Sequence, residues 1–541
     1  MKIKFDLSLT FSLLGGILMG ITTAPLNIWP LAWIALVPLW ISLVKNLHSK
    51  PTFHSSSFIL HPLLWGIGYH GIALFWITGI HPMDWLGVPW WPSLFITIFC
   101  WTFITLWGAL LVIFWAIGFT KISNLIASSN SQLRGHWNRY LRILIATALW
   151  CALETFWSWG DLWWSSLSYT QSPHNLAILH LGQISGPNTI TAAIVVVNGL
   201  IAELVISHWS LVIGKDRNIY NRQLLIKLII TVSVIVGLHS IGFALYNRPL
   251  IQIPENALKV GIIQGNIPNK IKFNSQGWYR AIEGYTTGYR TLADQKVDAV
   301  LIPETALPFI WTNPRQVLPS FYSAVLEEGV VAWVGGFGQE GTNLTNSLFT
   351  VIGTGEIFSR YNKVKLVPLG EYIPFENLLG SLIEKLSPLD AHLVHGKTNQ
   401  VFETPFGRAI VGICYDSAFS EFFRRQAANG GEFILSASND AHYLPSMSAQ
   451  HHDQDIMRAI ETDRWTVRAT NTGYSAIIDP HGRTIWRSGI NTYEVQAATM
   501  YRQQSQTLYV RWRDWLTPLL LILAVMTIAV QYYYQRVKYK G

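Results

Sequence analysis

Apolar positions dominate the first part of the chain, whereas the second part mixes apolar and polar positions. From Met1 to about Leu250 charged residues are scarce and apolar runs are long. From about Ile251 to Asp514 charges, glycine and proline return to the level of a globular protein, and a last apolar run covers residues 515–533. A hydrocarbon core of roughly 30 Å needs about 20 apolar residues to cross. The pattern therefore predicts a membrane domain, one globular domain and a closing anchor.

Eight apolar runs are candidate membrane-spanning helices. They cover residues 7–24, 28–44, 58–80, 91–119, 144–159, 189–206, 225–245 and 515–533. We expect a seven-helix membrane domain over 1–245, a globular domain over 246–514, and a last helix with a tail over 515–541. The start, Met1-Lys-Ile-Lys, is also compatible with a signal peptide, but a second run follows almost at once and Pro25 is unfavourable beside a cleavage site. A retained first helix is therefore predicted.

Basic residues cluster before the first run and after the second, fourth, sixth and eighth. They are Lys2, Lys4, Lys45, Lys50, Lys121, Arg134, Arg139, Arg142, Lys215, Arg217, Arg222, Arg536, Lys538 and Lys540. The intervening loops, such as 81–90 and 160–183, carry almost no basic residues. Because basic loops stay in the cytoplasm, the N-terminus is predicted to be cytoplasmic and residues 246–514 extracytoplasmic. The net charge of +8 then belongs largely to membrane-flanking loops, so no nucleic-acid partner is expected.

The predicted outer loops are rich in tryptophan, and two spans carry a carboxylate. The tryptophans are Trp85, Trp90, Trp91, Trp157, Trp159, Trp163 and Trp164. They are compatible with an interfacial aromatic belt or with an entrance for acyl chains between the membrane and the outer domain. Glu154 and Glu203 lie in or near spans, where a carboxylate is costly and is expected to have a partner.

The globular part alternates short β-rich runs with amphipathic helical stretches. Strands are predicted over residues 258–264, 299–302, 330–335, 347–352, 410–414, 433–437 and 467–470, and helices over 278–294, 318–328, 421–429 and 449–462. Several of these strands are continuous apolar runs, as in sheets that are buried on both faces. The pattern favours an α/β sandwich. No P-loop, paired CxxC or HExxH motif is present.

Cys414 is the only cysteine of the globular part, and the topology places it in a compartment that favours disulfides. The other two cysteines, Cys100 and Cys151, lie in apolar runs where a thiol is commonly a small apolar side chain. An unpaired thiol in an oxidising compartment indicates a function. A thiol that attacks an acyl group needs a base or a lowered pKa. Glu304 and Lys363 follow other predicted strands, and they are the candidates to activate it.

Three segments carry these side chains in a characteristic order: Pro303-Glu304-Thr, Tyr361-Asn-Lys363 with Pro-Leu-Gly-Glu371, and Gly412-Ile-Cys414-Tyr-Asp416. In these settings the chain resembles the nitrilase superfamily. With its membrane spans it resembles the apolipoprotein N-acyltransferase family over nearly its full length. Shared segments are Gln264-Gly-Asn-Ile-Pro268, Ser438-Asn-Asp-Ala441, Arg468-Ala-Thr-Asn471 and Trp164-Ser-Ser-Leu-Ser-Tyr-Thr-Gln171. The resemblance implies a membrane domain joined to a nitrilase-like αββα sandwich.

The resemblance also implies the roles of the site residues. Glu304 would act as general base and acid, Lys363 as the cation that stabilises the oxyanion, and Cys414 as the nucleophile. Glu371 matches a second carboxylate that the family needs, and Tyr415 follows the nucleophile as expected. Lys365, at a neighbouring spacing, is interpreted as an ordinary solvated or salt-bridged lysine.

Three positions depart from residues that the family often has. Asp416 and Phe273 stand where glutamate and tryptophan are frequent, and His442 stands where tryptophan is frequent. All three are expected in regions that contact substrate. His442, His451 and His452 also suggest a metal site, but no third ligand has a recognisable spacing, so no metal and no other cofactor is expected.

The resemblance implies transfer of an acyl chain from a phospholipid, through a Cys414 thioester, to the α-amine of an apolipoprotein diacylglyceryl-cysteine. The enzyme is expected to be a monomer in the bacterial inner membrane. A membrane-tethered amide or nitrile hydrolase and a transporter with a catalytically inactive outer domain are the alternatives. Loops 372–386 and 415–423 are predicted to form a mobile lid that keeps water from the thioester.

Overall fold

The computed structural model describes residues 7–47, 57–127, 135–213, 217–311, 319–372 and 393–540, and it divides them into a helical half and an α/β half. The helices of the helical half are α1 Leu7–Gly20, α2 Val37–Leu47, α3 Ser57–Ala73, α4 Trp90–Ala127, α5 Gly135–Trp159, α6 Leu176–Leu179, α7 Gly182–Ser185, α8 Pro187–Ile213, α9 Arg217–Tyr246 and, after the α/β half, α16 Leu516–Lys540. The two-part architecture predicted from the hydrophobic pattern is confirmed. Lys2, Lys4, Lys50, Arg134 and Lys215 lie outside the described residues.

Each of the eight predicted runs contains a helix, but the first three helices are shorter than the runs. Within the described residues, five helices are long and apolar enough to cross a membrane: Trp90–Leu125, Asn138–Trp159, Pro187–His208, Arg222–Tyr246 and Leu516–Tyr533. Helices α1, α2 and α3 have only 14, 11 and 17 residues. The remainder of the second and third runs forms 3₁₀ turns at Trp29–Trp33 and Phe75–Ile80. In these three runs apolar composition overestimated the length of the α-helix, whereas the other five helices are longer than their predicted runs.

The helical half is held together by close backbone packing and by buried polar bonds. Helices α1 and α3 touch at Gly16, where an added Cβ would lie 2.0 Å from the Trp65 carbonyl oxygen. Glu203 accepts two hydrogen bonds from Arg142, at 2.9 and 2.8 Å. The carboxylate of Glu154 instead has neutral donors, which are Trp150 Nε1, Leu167 N, Ser166 Oγ and Thr191 Oγ1. The expectation that both carboxylates have partners is confirmed.

Two six-stranded sheets form the α/β half. The strands are β1 Ala257–Gln264, β2 Ala299–Leu301, β3 Val331–Glu340, β4 Asn343–Val351, β5 Ile357–Asn362, β6 Phe402–Thr404, β7 Gly407–Ile413, β8 Phe433–Ser438, β9 Thr466–Thr470, β10 Ala476–Ile478, β11 Thr484–Arg487 and β12 Glu494–Tyr501. The orders are β12-β1-β2-β3-β4-β5 and β11-β10-β9-β8-β7-β6. In each sheet three adjacent strands, β1-β2-β3 and β7-β8-β9, are parallel to one another, and the other strand pairs are antiparallel.

Apolar side chains of the two sheets meet in one core, and helices cover the outer faces. The helices of this half are α10 Asn269–Lys272, α11 Ser275–Asp294, α12 Pro319–Glu328, α13 Ser420–Ala428, α14 Pro445–Thr462 and α15 Leu508–Trp512. Side chains of α11 and α12, such as Tyr289 and Phe321, pack on the first sheet. Phe423 of α13 packs on the second sheet. The αββα sandwich is therefore confirmed.

All seven predicted strands are present, and the sequence missed β5, β6, β10, β11 and β12. Four of these five are sheet edges, because β12 and β5 flank the first sheet and β11 and β6 flank the second. An edge strand is not covered on every side, so it does not need a continuous apolar run.

Helix α14 joins the sandwich to the helical half. Met447, Ile456 and Ile460 belong to the same apolar core as side chains of α1 to α8. Gln450 Nε2 donates to the carbonyl oxygens of Ala24 and Ala73, at 3.0 and 2.9 Å. The outer helical layer of the second sheet is thus also the contact surface for the helical half.

We predict that Gly335→Ala destabilises the protein. An added Cβ would lie 2.0 Å from the Pro303 carbonyl oxygen and 2.9 Å from Glu304 Cα, so β3 or the segment after β2 must shift. Overpacking of this kind costs about 1–3 kcal/mol, and we expect the melting temperature in detergent to fall by several degrees.

Gly284→Ala is the matched control for this substitution. It lies in α11, and its added Cβ meets nothing nearer than Tyr493 Cε2 at 3.4 Å. Its melting temperature should equal or exceed that of the wild type. Equal melting temperatures for Gly335→Ala and the wild type would show that the segment carrying Glu304 is not constrained by β3.

Candidate active site

Three strand ends bring Glu304, Lys363 and Cys414 together. Glu304 follows β2, Lys363 follows β5 directly, and Cys414 follows β7 directly. Their exposed fractions are 5%, 1% and 5%. Residues that follow strands lie at the ends of those strands, where the connecting loops of the two sheets begin. The three residues singled out in the sequence therefore form one buried site.

Lys363 lies between two carboxylates. Its Nζ is 2.8 Å from Glu304 Oε1 and 2.8 Å from Glu371 Oε2. The side chain of Asn346 on β4 donates to Glu304 Oε1 at 2.7 Å and to Glu371 Oε1 at 2.8 Å. Asn346 therefore locks the two carboxylates around the ammonium group. Sequence reasoning missed it, because a single asparagine in a strand has no distinguishing spacing.

The surroundings determine the charge state of each group. Burial alone would raise the pKa of Glu304, but the charge and hydrogen bond of Lys363, with further help from Lys272, hold it below its usual value. Burial would lower the pKa of Lys363, but Glu304 and Glu371 hold it well above its usual value. Burial, with the charge of Glu304, raises the pKa of the Cys414 thiol well above its usual value. At neutral pH the site therefore holds a carboxylate, an ammonium group and an uncharged thiol.

Cys414 lies on a strained turn that Asp416 fixes from one side. Cys414 has φ +47°, in the left-handed region that costs a non-glycine residue about 1–2 kcal/mol. The Asp416 carboxylate accepts from Lys365 N at 2.8 Å and from Ile413 N at 3.2 Å. It is fully buried, and burial raises its pKa to about 7. Asp416 therefore supports the site, since its carboxylate bonds backbone groups on both sides of it, and its expected place in a region that contacts substrate stays a prediction.

Tyr415 and Lys365 face the helical half. The Tyr415 hydroxyl lies 2.8 Å from the carbonyl oxygens of both Asp161 and Trp163, and its ring stacks on Trp164 with centroids 6.2 Å apart. Lys365 Nζ is 2.6 Å from Asp161 Oδ1. Lys365 is thus salt-bridged, as expected, and both residues fasten the active-site loops to residues 161–164.

A second buried cation, which the sequence did not single out, lies beside Glu304. Lys272 is 3% exposed, its Nζ is 2.7 Å from Thr305 Oγ1, and burial lowers its pKa to about 8. The half-buried ring of Phe273 is centred 5.8 Å from the same Nζ. In the sequence, the only signal for Lys272 was its position next to Phe273, which follows a segment that resembles the family.

The three histidines considered as metal ligands point to different partners. His442 Nδ1 lies 2.6 Å from Asn269 Nδ2, and His452 Nε2 lies 2.9 Å from Thr484 Oγ1. His451 instead faces the nucleophile. Among the described residues, one ligand atom each from Cys414, Asp440 and His451 lie within 4.8 Å of one another, so these three are the residues with metal-ligand spacing.

The two segments predicted to form a mobile lid are 372–386 and 415–423. Residues 373–386 of the first lie outside the described residues. The second, 415–423, contains the 3₁₀ turn Cys414–Ala418 and the start of α13. It is packed, because Phe419 and Phe423 are buried and Tyr169 Oη donates to the Ala418 carbonyl oxygen at 3.0 Å. In this structure the second segment is part of the junction with the helical half.

An αββα sandwich with glutamate, lysine and cysteine at its strand ends is the architecture of a nitrilase-type domain. Residues 259–509 match the carbon-nitrogen hydrolase family, and residues 15–200 match the apolipoprotein N-acyltransferase N-terminal domain. The chain is 61% identical over 510 residues to an apolipoprotein N-acyltransferase of Nostoc sp., across 94% of this chain and 96% of that protein. A relative of the same name from Synechocystis sp. is 47% identical, across 94% and 98%. The chain therefore belongs to the apolipoprotein N-acyltransferase family.

The α/β half also resembles solved structures. An amidase from Nesterenkonia sp. has 17% identity and a TM-score of 0.36, and the match covers 49% of this chain and 96% of that chain. A nitrilase-superfamily protein from Saccharomyces cerevisiae has 16% identity and a TM-score of 0.36, with coverages of 48% and 94%.

We predict that Asn346→Ala lowers the turnover number at least tenfold. The substitution removes the amide that orients both carboxylates, and losing a hydrogen bond to a charged group costs about 1.5–3 kcal/mol. Turnover is measured as product formed by purified enzyme in detergent. Asn343→Ala, at the exposed start of the same strand, is the control and should retain wild-type turnover.

We predict that Tyr415→Phe weakens the attachment of the active-site turn to the helical half. The ring remains to stack on Trp164, but the hydrogen bond to the carbonyl oxygens of residues 161 and 163 is lost. We expect faster cleavage by an added protease between residues 415 and 423, with Tyr279→Phe, an exposed tyrosine, as the control. Unchanged protection would mean that the stacked ring alone holds the turn.

Proposed function

We propose that this enzyme transfers an acyl chain from a phospholipid, through a thioester on Cys414, to the α-amino group of the N-terminal diacylglyceryl-cysteine of an apolipoprotein. One observation carries the proposal: an uncharged thiol is buried beside a carboxylate and an ammonium group, at the junction with an apolar helical half. The names of the relatives support the lipoprotein acceptor.

In the first half-reaction the Cys414 thiol attacks the ester carbonyl of the phospholipid. Glu304, held ionised by Lys363, accepts the thiol proton as the S–C bond forms. Lys363 stabilises the negative charge that develops on the carbonyl oxygen. The C–O bond of the ester then breaks, and Glu304 returns the proton to the departing lysophospholipid alkoxide. The acyl chain is left as a thioester on Cys414.

In the second half-reaction the uncharged α-amine of the acceptor attacks the thioester carbonyl. An N–C bond forms, the S–C bond breaks, and Glu304 takes a proton from the nitrogen and returns it to the Cys414 sulfur. Glu371 and Asn346 touch no reacting atom in this scheme. They keep Glu304 and Lys363 in place through both steps.

We further propose the domain order inferred from the sequence, with residues 1–245 and 515–541 in the bacterial inner membrane and 246–514 outside the cytoplasm. Basic residues flank one side of the predicted spans. The lysine- and arginine-free segment 160–183 contacts the catalytic half, for instance through Trp163 and Tyr169. This contact supports an active site on the non-basic side, where both lipid substrates would lie in the outer leaflet.

The test is mass spectrometry of purified enzyme incubated with phospholipid alone. We expect an acyl adduct on the Cys414 peptide that disappears in Cys414→Ser and that is discharged by a diacylglyceryl-cysteine peptide. Cys100→Ser is the matched control, since Cys100 lies in α4 away from the site, and it should acylate normally.

Two outcomes would contradict the proposal. Release of ammonia from small amides without any lipid-derived adduct would favour the tethered hydrolase. Full activity of Cys414→Ala in lipoprotein maturation would favour a catalytically inactive outer domain.

A further inference from the structure

His451 lies directly behind the nucleophile, and the reaction proposed above gives it no role. It sits on α14, and its ring is completely buried. Its Nε2 is 2.9 Å from the carbonyl oxygen of Cys414, and its Nδ1 is 3.0 Å from Asp440 Oδ1. Both partners are acceptors only, because a backbone carbonyl and an ionised carboxylate have no proton to donate. Both hydrogen bonds can form only if both ring nitrogens carry a proton.

A charged imidazolium in a dry interior needs compensating charge, and the neighbouring residues supply it. Asp440 Oδ2 lies 3.2 Å from Arg468 Nη2, and Arg468 Nη1 lies 2.5 Å from Asp455 Oδ2. All of these side chains are fully buried. Two cations, His451 and Arg468, are thus matched by two carboxylates, and the cluster has no net charge. Burial alone would raise the pKa of Asp440, but His451 and Arg468 lower it to about 2.

His451 donates its hydrogen bond to Cys414, the residue whose backbone is strained. Cys414 has φ +47°, and its carbonyl group cannot adopt the strand-like orientation of a residue in β7. Asp416 holds the amide of Ile413 before the turn, and His451 holds the carbonyl of Cys414 within it. A ring nitrogen of His451 also lies within 4.8 Å of the Cys414 sulfur.

The helical half reaches the same histidine. The Trp164 ring stands edge-on to His451 with centroids 5.9 Å apart, and it stacks on Tyr415 on the other side of the nucleophile. Trp164 Nε1 donates to Gln450 Oε1 at 2.8 Å, and Gln450 directly precedes His451 on α14. The contacts between the two halves therefore fix the position of the His451 imidazole ring.

We propose that His451 is a positioning residue that stays protonated through the catalytic cycle and holds Cys414 in its left-handed conformation by donating to its carbonyl oxygen. Asp440, Arg468 and Asp455 keep it charged, and Trp164 keeps it in place. His451 accepts no proton from the thiol. The role of His451 in turnover rests on the proposed function, but its effect on the pKa of the Cys414 thiol does not.

The groups that face the ring define the pH experiment. They are Cys414 after β7, Asp440 after β8, Arg468 on β9 behind Asp440, Asp455 and His452 on α14 itself, and the uncharged Trp164 of the helical half. Because a ring nitrogen of the protonated His451 lies within 4.8 Å of the Cys414 sulfur, we expect the removal of His451 to raise the pKa of the thiol. Alkylation of Cys414 by iodoacetamide, read on its own peptide as a function of pH, reports that change without any lipid.

The variants are His451→Gln and His451→Leu, and His452→Gln is the matched control. Glutamine keeps an N–H donor for the Cys414 carbonyl oxygen but has no charge, and leucine has neither. Both should move the alkylation midpoint to higher pH, whereas His452→Gln, whose ring contacts Thr484, should leave it unchanged. Acylation of Cys414 by phospholipid in a single turnover should slow about ten- to hundredfold in His451→Leu. His451→Gln should recover most of that rate, with substrate affinity equal in all variants.

Opposite results would overturn this role. An unchanged alkylation midpoint in both variants would mean that His451 is not charged. A fall of the wild-type acylation rate as the pH is lowered that is lost equally in His451→Gln and His451→Leu would mean that His451 acts as a base. If His451→Leu does not fold, the glutamine variant decides both points. If the wild type acquires no acyl group from phospholipid, the proposed donor is wrong, and the alkylation profiles still decide the role of His451.

Discussion

The ammonium group of Lys363 is buried where water cannot solvate it, and the site is built around that charge. Removing a single ammonium ion from water costs several kcal/mol unless partners compensate. Glu304 and Glu371 compensate at 2.8 Å each, and Asn346 prevents either carboxylate from turning away. Lys363, with further help from Lys272, keeps Glu304 a carboxylate, while burial and the charge of Glu304 keep Cys414 an uncharged thiol. In the proposed reaction, the base and the proton it must take are therefore both present before substrate arrives. A buried, uncharged thiol also reacts slowly with oxidants, which act on thiolates.

The same residues that hold the nucleophile also join the two halves of the molecule. Helix α14 covers the second sheet, packs into the core of the helical half, and carries His451 to the back of Cys414. Tyr415 directly follows Cys414, Lys365 lies two residues after Lys363, and both reach the segment after α5. A displacement of the helical half would thus move the nucleophile turn and the lysine loop together. Such coupling would suit the proposed reaction, in which both substrates are lipids.

Glu304 and Cys414 were predictable as site residues because each follows a continuous apolar run. Lys363 follows β5, which the hydrophobic pattern did not show, and it was predictable only from the short segment that it shares with Glu371. Asn346 and His451 were not predictable in these roles, since their partners are 42 and 37 residues away in the chain. The helical half was predictable in its order and less so in its lengths. Hydrophobicity does not distinguish an α-helix from a 3₁₀ turn, which is why the runs containing Trp29–Trp33 and Phe75–Ile80 were read as single spans.

The effect of a departure from the family pattern depends on what the side chain contacts, and Asp416 is an example. Its carboxylate joins Ile413 N, before the nucleophile, to Lys365 N, after the catalytic lysine. A glutamate there would place the carboxylate one methylene further from the main chain, so the two backbone segments would have to stand further apart. The aspartate therefore sets the spacing between the turn of Cys414 and the loop of Lys363. Selectivity is better sought at Phe273 and His442. The first is half-buried beside Lys272, and the second lies with its ring 5.2 Å from Trp85 of the helical half.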